Sequence, residues 1–185
     1  MRSRGVVTSP DSIPVLVLSG PIGVGKSTLL GEIADLLREM DEAFVAVDLD
    51  GLTQVFPRPP GDPQAIGVGA RNLATVWMNA AAAGARCMVL ASVIETDYDL
   101  GVVLEAVPGA TPFVVLLAAD EATLFDRVRR REIGTARGWH LERSFELAEI
   151  LNRAGVEDAV VQSDDRPIRE IGLEILRVAG WSVSD

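Results

Sequence analysis

One short stretch of the sequence combines the residue types that bind phosphate groups. It reads Gly20-x-x-x-x-Gly25-Lys26-Ser27 and lies between a short apolar run and a helical pattern. Glycines allow a main chain to turn sharply and come close to a ligand, so that backbone N–H groups can converge on an anion. The lysine adds a full positive charge for the terminal phosphates of a nucleotide, and the serine hydroxyl suits Mg²⁺. The stretch therefore predicts a P-loop that binds a nucleoside triphosphate together with Mg²⁺.

The loop and the first turn of the helix behind it supply the predicted contacts to the nucleotide. Ser27 and Thr28 begin this helix, whose first N–H groups have no internal partner and whose dipole is positive at that end. We therefore expect eight residues to bind the nucleotide, with Ser27 also a metal ligand: Gly20, Ile22, Gly23, Val24, Gly25, Lys26, Ser27 and Thr28.

Two carboxylates follow the second apolar run of the chain. Asp48 and Asp50 come at the carboxyl end of a predicted strand, the side of a parallel sheet on which a P-loop also lies. The two-residue period of an extended chain would place both on one side. We assign Asp48 to the water shell of Mg²⁺ and Asp50 to the acceptance of a proton from a substrate hydroxyl, and an exchange of these roles stays open. The alternative is a simple Asp50-Gly51 turn.

Arginines are dense in the segment 127–138, which reads RVRRREIGTARG. The segment begins as a helical pattern and ends in glycines. We expect a small lid here, whose Arg131 and Arg137 bring positive charge to the transferring phosphate as catalytic groups. The alternative is a solvated basic helix face, above all for Arg129 and Arg130.

Apolar runs and helical patterns alternate along the chain and would position these groups. The predicted strands are Val15–Ser19, Ala43–Asp48, Cys87–Ser92, Pro112–Ala118 and Asp158–Gln162. The predicted helices are Lys26–Met40, Gln64–Ala83, Tyr98–Val107, Glu121–Arg131, Leu141–Ala154 and Pro167–Ala179. Such alternation predicts a single-domain α/β protein with the P-loop NTPase fold, about five parallel strands and helices on both faces. The domain would span residues 13–185 after a flexible tail, 1–12.

Composition limits the partners that the chain can take. A net charge of −10 is poorly suited to DNA or RNA, so we expect no nucleic-acid partner. No apolar stretch is long enough to span a membrane. The single cysteine, Cys87, excludes an internal disulfide, and the first apolar run leads straight into the P-loop rather than to a cleavage site. Both features favour the cytoplasm, and the oligomeric state is left open.

The P-loop, the two aspartates and the arginine-rich segment together resemble the P-loop small-molecule kinases of the adenylate kinase-like group. The resemblance extends over about residues 15–181. Within that group the chain looks closest to the chloramphenicol phosphotransferase-like and AAA-type ATP-binding kinases, through DGLTQVFP from Asp50 and LFDRVRRRE from Leu124. The resemblance implies Asp50 as the catalytic base or the group that binds the acceptor hydroxyl. It also implies Arg127 on adenine, Arg131 facing phosphate and Arg166 bordering adenine.

The predicted function is that of an ATP-dependent phosphotransferase. It would move the γ-phosphate of MgATP to a hydroxyl of a small molecule, namely a metabolite, sugar, nucleoside or antibiotic. The alternatives are a regulatory nucleotide-binding module without an acceptor, and a nucleoside or nucleotide kinase. No acceptor signature is recognisable, although Arg71 and Trp77 on the long helix could line a pocket for a neutral hydroxylated molecule. Trp77 fits the core equally well, and His140 fits a structural role better than a catalytic one.

Overall fold

Five parallel strands form one sheet, in the order β2-β3-β1-β4-β5. The computed structural model describes residues 12–131 and 136–181, so the predicted tail lies outside the described residues except for Ser12. The strands are β1 (Ile13–Ser19), β2 (Phe44–Asp48), β3 (Cys87–Ala91), β4 (Ala110–Ala118) and β5 (Ala159–Gln162). All five predicted strands are confirmed, and each end lies within two residues of its predicted position.

Each face of the sheet carries its own hydrophobic core. Successive side chains of a strand point to opposite faces, and β1 shows this directly. Leu16 and Leu18 pack with the first and last helices of the chain, whereas Val15 and Val17 pack on the other face. A parallel sheet buried on both faces explains why the strands read as continuous apolar runs rather than as alternating patterns.

Seven helices cover the sheet within the described residues. They are α1 (Lys26–Glu39), α2 (Leu49–Leu52), α3 (Ile66–Ala82), α4 (Asp97–Leu104), α5 (Glu121–Arg131), α6 (Ala136–Ala154) and α7 (Ile168–Val178). The short α2 was not predicted. The predicted start of α6 was wrong by five residues, so Gly138, expected in the lid, lies inside a helix. A single glycine costs a helix only about 1 kcal/mol, which the good helix formers beside it can offset.

The sheet order brings the chemically interesting residues to one edge. β1 is central, between β3 and β4, and the P-loop follows it directly. The segments after β2, β3 and β5 leave the same edge of the sheet, as parallel strands require. Cys87 is instead buried at the start of β3, where burial and the nearby Glu42 carboxylate raise the pKa of its thiol to about 11. No helix among the described residues has the length and apolar character needed to cross a membrane.

Candidate active site

The P-loop is held in shape by close packing against α5 and the core. Gly23 has a φ of 85°, and a Cβ atom there would lie 2.6 Å from Cγ2 of Val128. Glycine is therefore needed at this position both for its backbone angle and for its lack of a side chain. Val24 is only 1% exposed and packs into the core on the face of the sheet that α1 and α7 cover, which fixes the loop further. Gly25, with a φ of 108°, then begins α1 without a side-chain cap, which leaves the first N–H groups of the helix to face the cleft.

The predicted metal ligands lie in contact. The Ser27 hydroxyl donates a hydrogen bond of 2.6 Å to Oδ2 of Asp48. Lys26 lies beside them, and its Nζ donates to the carbonyl oxygens of Gly20 at 2.7 Å and Pro21 at 3.1 Å. The start of α1 and the end of β2 therefore place one ammonium, one hydroxyl and one carboxylate at the mouth of the loop.

The oxygen donors of Ser27 and Asp48 fit Mg²⁺. Magnesium prefers hard oxygen ligands and usually keeps several waters, with one or two protein groups and the substrate phosphates completing its shell. Among the described residues there is no group of three or more acidic, histidine or cysteine side chains that could hold a metal unaided. A site built from one hydroxyl and one carboxylate therefore suits a metal that arrives with a nucleotide.

Asp50 lies close to Asp48 for a reason different from the one predicted. The chain does not continue extended beyond Asp48 but enters α2, with Asp48 as the N-cap. Oδ1 of Asp48 accepts a hydrogen bond of 3.2 Å from the backbone N–H of Asp50. The expectation of an extended chain with two-residue alternation was wrong at this point, because residues 49–52 form a short helix that Asp48 caps. The two carboxylates still line one cleft.

The phosphate cleft, as we call this cavity, has a volume of about 780 Å³. It is lined by Ile22, Gly23, Gly25, Lys26, Ser27, Thr28, Asp48, Asp50, Gly51, Gln54, Val93, Arg127 and Ile168. Gly20 and Val24 contribute carbonyl oxygens to hydrogen bonds around the loop but do not line the cleft. Sequence reasoning missed Gln54, Val93 and Ile168, which carry no motif.

Arg127 is fixed to the body of the protein. Its guanidinium donates to the Val24 carbonyl at 3.1 Å and to the Ser163 hydroxyl and carbonyl at 3.0 and 2.7 Å. Ser163 is buried just after β5 and also donates to Val24 at 3.2 Å. Arg127 thus joins α5, the P-loop and the loop after β5 at one end of the cleft.

Arg166, which the resemblance places beside adenine, does not line the phosphate cleft. Arg166 donates to the Gln162 carbonyl at 3.3 Å and pairs with Glu174 at 2.6 Å, so that it braces the start of α7. The side chains of Arg131 and Arg137 lie outside the described residues, and the lid stays a prediction. Arg130 pairs with Asp126 at 3.6 Å on an exposed face, as the solvated-face alternative expects for this residue.

A second cavity, which we call the acceptor pocket, adjoins the phosphate cleft. Its volume is about 640 Å³, and Ile22, Asp50 and Val93 line both cavities. Its other lining residues are Leu49, Thr53, Arg58, Pro63, Gln64, Ile66, Ser92, Glu95, Thr96, Asp99, Arg143 and Leu147. They come from α2, the proline-rich loop behind it, the start of α3, the loop after β3, α4 and α6.

An ion pair crosses the acceptor pocket. Arg143 on α6 donates through Nη2 to Glu95 at 2.6 Å and through Nη1 to Glu146 at 2.8 Å. The hydrogen bond that Arg143 donates to Glu146 and the negative charge of Glu95 raise the pKa of Arg143. The next residue, Ser144, is fully buried and donates to the Ile22 carbonyl of the P-loop at 2.7 Å.

Two of the residues that the sequence left open for a pocket lining, Trp77 and Arg71, do not line this cavity. Trp77 is 7% exposed and belongs to the core under the sheet. Arg71 is exposed on α3 and lines neither cavity. The side chain of His140 lies outside the described residues. The signal that could have found two residues of this cavity was positional: Glu95 and Asp99 follow the end of β3, at the edge of a parallel sheet where ligands usually bind.

Comparison with known proteins gives structural matches only. No protein-family model and no curated protein sequence matches the chain. A gluconokinase from Sinorhizobium meliloti 1021 is 20% identical with a TM-score of 0.58, and the match covers 90% of this chain and 91% of that one. The tunicamycin resistance protein of Deinococcus radiodurans is 17% identical with a TM-score of 0.61, covering 94% and 99%. An APS kinase from Mycobacterium tuberculosis, solved with AMPPNP and APS, is 20% identical with a TM-score of 0.57, covering 91% and 98%.

These likenesses confirm the fold expected from the sequence. The chain has the fold of the P-loop small-molecule kinases, with five parallel strands and helices on both faces. At such identities the likeness shows the fold alone, and the activity of this chain has to be argued from its own site.

Proposed function

We propose that this chain is an ATP-dependent phosphotransferase that moves the γ-phosphate of MgATP to a hydroxyl group of a small molecule. The observation that carries the proposal is the junction of two cavities at Asp50. A regulatory module that only binds a nucleotide needs the phosphate cleft alone. A second cavity of about 640 Å³ lies within the range usual for small-molecule sites and leaves room for an acceptor.

The residues of the phosphate cleft would hold the donor. Backbone N–H groups of the loop and the ammonium of Lys26 would bind the β- and γ-phosphates, as the same groups do in other P-loops. Ser27 and Asp48 would hold Mg²⁺, which supplies positive charge to those phosphates when bound. ATP as the donor is supported by the APS kinase of the same fold, which was solved with AMPPNP. Arg127 borders the same cleft at the side of the loop after β5.

Asp50 would act on the acceptor. It lines both cavities, so a hydroxyl bound in the acceptor pocket can approach its carboxylate while the γ-phosphate lies in the cleft. In the transfer, the hydroxyl oxygen forms a bond to the γ-phosphorus and the bond to the β–γ bridging oxygen breaks, which releases ADP. The hydroxyl proton passes to the Asp50 carboxylate. Since phosphoryl transfer needs chiefly positioning and charge stabilisation, this small set of groups suffices.

The test is transfer to an alcohol panel. ADP release from MgATP is measured with and without sugars, nucleosides, polyols and hydroxylated antibiotics, and products are checked by mass for one added phosphate. We expect at least one alcohol to raise ADP release and to gain the phosphate. ATP binding without transfer to any alcohol would favour the regulatory module instead. The cytoplasmic location and the lack of a nucleic-acid partner stay predictions.

A further inference from the structure

We infer that Glu95 sets the charge preference of the acceptor pocket by holding Arg143, so that the pocket takes hydroxylated compounds without an anionic group. The inference rests on the proposed function, since it concerns the acceptor of that reaction. It names a specificity residue, Glu95, that no motif in the sequence marks.

The first step is that both terminal nitrogens of Arg143 are already engaged. They donate to Glu95 at 2.6 Å and to Glu146 at 2.8 Å. Two carboxylates therefore already lie against this single positive charge, and an acceptor anion that approached the guanidinium would be repelled by both of them. Glu95 is the partner inside the pocket, and the side chains of this pair are only 31% and 23% exposed for Glu95 and Arg143. Partial burial strengthens the pair and makes its displacement costly.

The second step is the charge balance of the pocket. Its described lining has three carboxylates and two guanidinium groups, which leaves one net negative charge. The second guanidinium, Arg58, donates to the Thr53 carbonyl at 2.8 Å and is exposed on the proline-rich loop. Asp99 has no cation within ion-pair distance among the described residues and accepts instead from Thr96 at 2.8 Å. An anion that entered would therefore be repelled by the excess negative charge, whereas a neutral polyol would not be repelled and a cationic polyol would be attracted.

The third step separates this role from a structural one. A purely structural pair would exist to tie α6 to the loop after β3. That helix has its own anchor, since the buried Ser144 hydroxyl donates to Ile22 at 2.7 Å. The loop after β3 also has one, because the N–H of Ile94 donates to the buried Ser19 hydroxyl at 3.2 Å. Removal of the Glu95 charge should therefore leave both segments in place and alter only what Arg143 can bind.

The experiment measures the binding of three probes that share an open six-carbon polyol chain. Sorbitol is neutral, gluconate is anionic, and glucamine is cationic at neutral pH. Each is titrated by calorimetry into the protein with Mg²⁺ and a non-hydrolysable ATP analogue. We expect the native protein to bind gluconate at least about 10-fold more weakly than sorbitol. In Glu95→Gln the affinity for gluconate should rise about 10-fold relative to sorbitol, as expected for one charge-assisted hydrogen bond.

Two further variants control the result. Glu149→Gln makes the same charge change on α6, the helix that carries Arg143. Glu149 pairs with Arg153 on an exposed face, so this variant should leave all three affinities unchanged. Arg143→Gln added to Glu95→Gln should remove the gain in gluconate binding. If the native protein binds none of the probes, Glu95→Gln must still acquire gluconate binding for the inference to stand.

Three outcomes would overturn the inference. The native protein could bind gluconate and sorbitol with equal affinity, Glu95→Gln could leave the ratio of these two affinities unchanged, or Glu149→Gln could change that ratio by the same amount. These outcomes are distinct from failure of the proposed function, because binding needs no transfer. Phosphorylation of some alcohol, together with an unchanged affinity ratio in Glu95→Gln, would contradict only the charge preference assigned to Glu95. A changed affinity ratio in Glu95→Gln without transfer to any alcohol would contradict the proposed phosphotransferase activity and support the charge preference set by Glu95.

Discussion

The phosphate cleft and the acceptor pocket are built in opposite ways. Six of the thirteen residues that line the cleft come from one short stretch, 22–28, and much of their chemistry is in backbone angles and N–H groups. The acceptor pocket is assembled from side chains that are far apart in sequence, and its charged members are Asp50, Arg58, Glu95, Asp99 and Arg143. A phosphate group is the same in every nucleotide, so one short loop can bind the phosphates of any of them. An acceptor differs from enzyme to enzyme, so its site is assembled from variable loops.

The largest effect should come from Asp50, where the two regions meet. Asp50→Asn keeps the size of the side chain but removes its charge and its ability to take a proton. We expect the rate of transfer to an accepted alcohol to fall by about 10²- to 10⁴-fold, with little change in ATP affinity. The measurement is single-turnover phosphorylation alongside calorimetry with an ATP analogue.

The matched control for this variant is Asp35→Asn. Asp35 is 65% exposed on α1 and pairs with Arg38, away from both cavities, so its loss should leave the transfer rate unchanged. Near-native transfer in Asp50→Asn would show that the junction of the cavities is not where the proton goes.

Lys26 should have the next largest effect, and on the cleft alone. Lys26→Ala removes the one full positive charge of the loop, so we expect transfer to fall by about 10²- to 10³-fold, through weaker binding of MgATP. Lys26 is also the only lysine in the sequence, so an amine-reactive reagent has one side-chain target besides the α-amino group. MgATP should protect Lys26 from this reagent, and an alcohol acceptor alone should not. Equal protection by both would mean that the two cavities do not divide the ligands as proposed.

The features that could be predicted from the sequence are those encoded by a continuous stretch of residues, as the phosphate-binding loop is. The strands were predictable because buried parallel strands are continuous apolar runs, and the P-loop because its spacing is dictated by phosphate geometry. Which face of α3 packs on the sheet was not predictable in this way. Leu73 and Trp77 are four residues apart and lie on the same face of the helix, in the core, so Trp77 lines neither cavity. Glu95 and Arg143 are 48 residues apart, and only the tertiary fold brings them together.

Asp48 should show a smaller effect, confined to the metal. Asp48→Asn removes charge from the predicted Mg²⁺ site but keeps the N-cap of α2, since asparagine caps a helix as well as aspartate. We expect the Mg²⁺ concentration for half-maximal transfer to rise about 10-fold, with the fold unchanged. The comparison is a Mg²⁺ titration of Asp48→Asn and Asp50→Asn. A raised Mg²⁺ requirement in the Asp50 variant instead would exchange the two assigned roles.

The smallest effect should come from a glycine behind the acceptor pocket. A Cβ at Gly69 on α3 would lie 2.7 Å from Cγ2 of Thr53, which lines the pocket, whereas a Cβ at Gly101 on α4 would meet nothing within 4 Å. Gly101→Ala should stabilise the protein by about 0.5–1 kcal/mol through helix propensity. Gly69→Ala gains the same helix propensity but must displace Thr53, so we expect its free energy of unfolding to fall by about 1 kcal/mol. Urea unfolding of both variants measures this difference.

The same pair of variants also tests whether the two regions are separable. Displacement of Thr53 should raise the KM for an accepted alcohol in Gly69→Ala by a few-fold, because the change reaches the acceptor pocket and stops short of the P-loop. ATP affinity should be native in both variants, because neither glycine lies in or beside the stretch 22–28. If Gly69→Ala weakened ATP binding as much as it raised the KM for the alcohol, the cleft and the pocket would respond as one cavity. Their different construction would then have no functional counterpart.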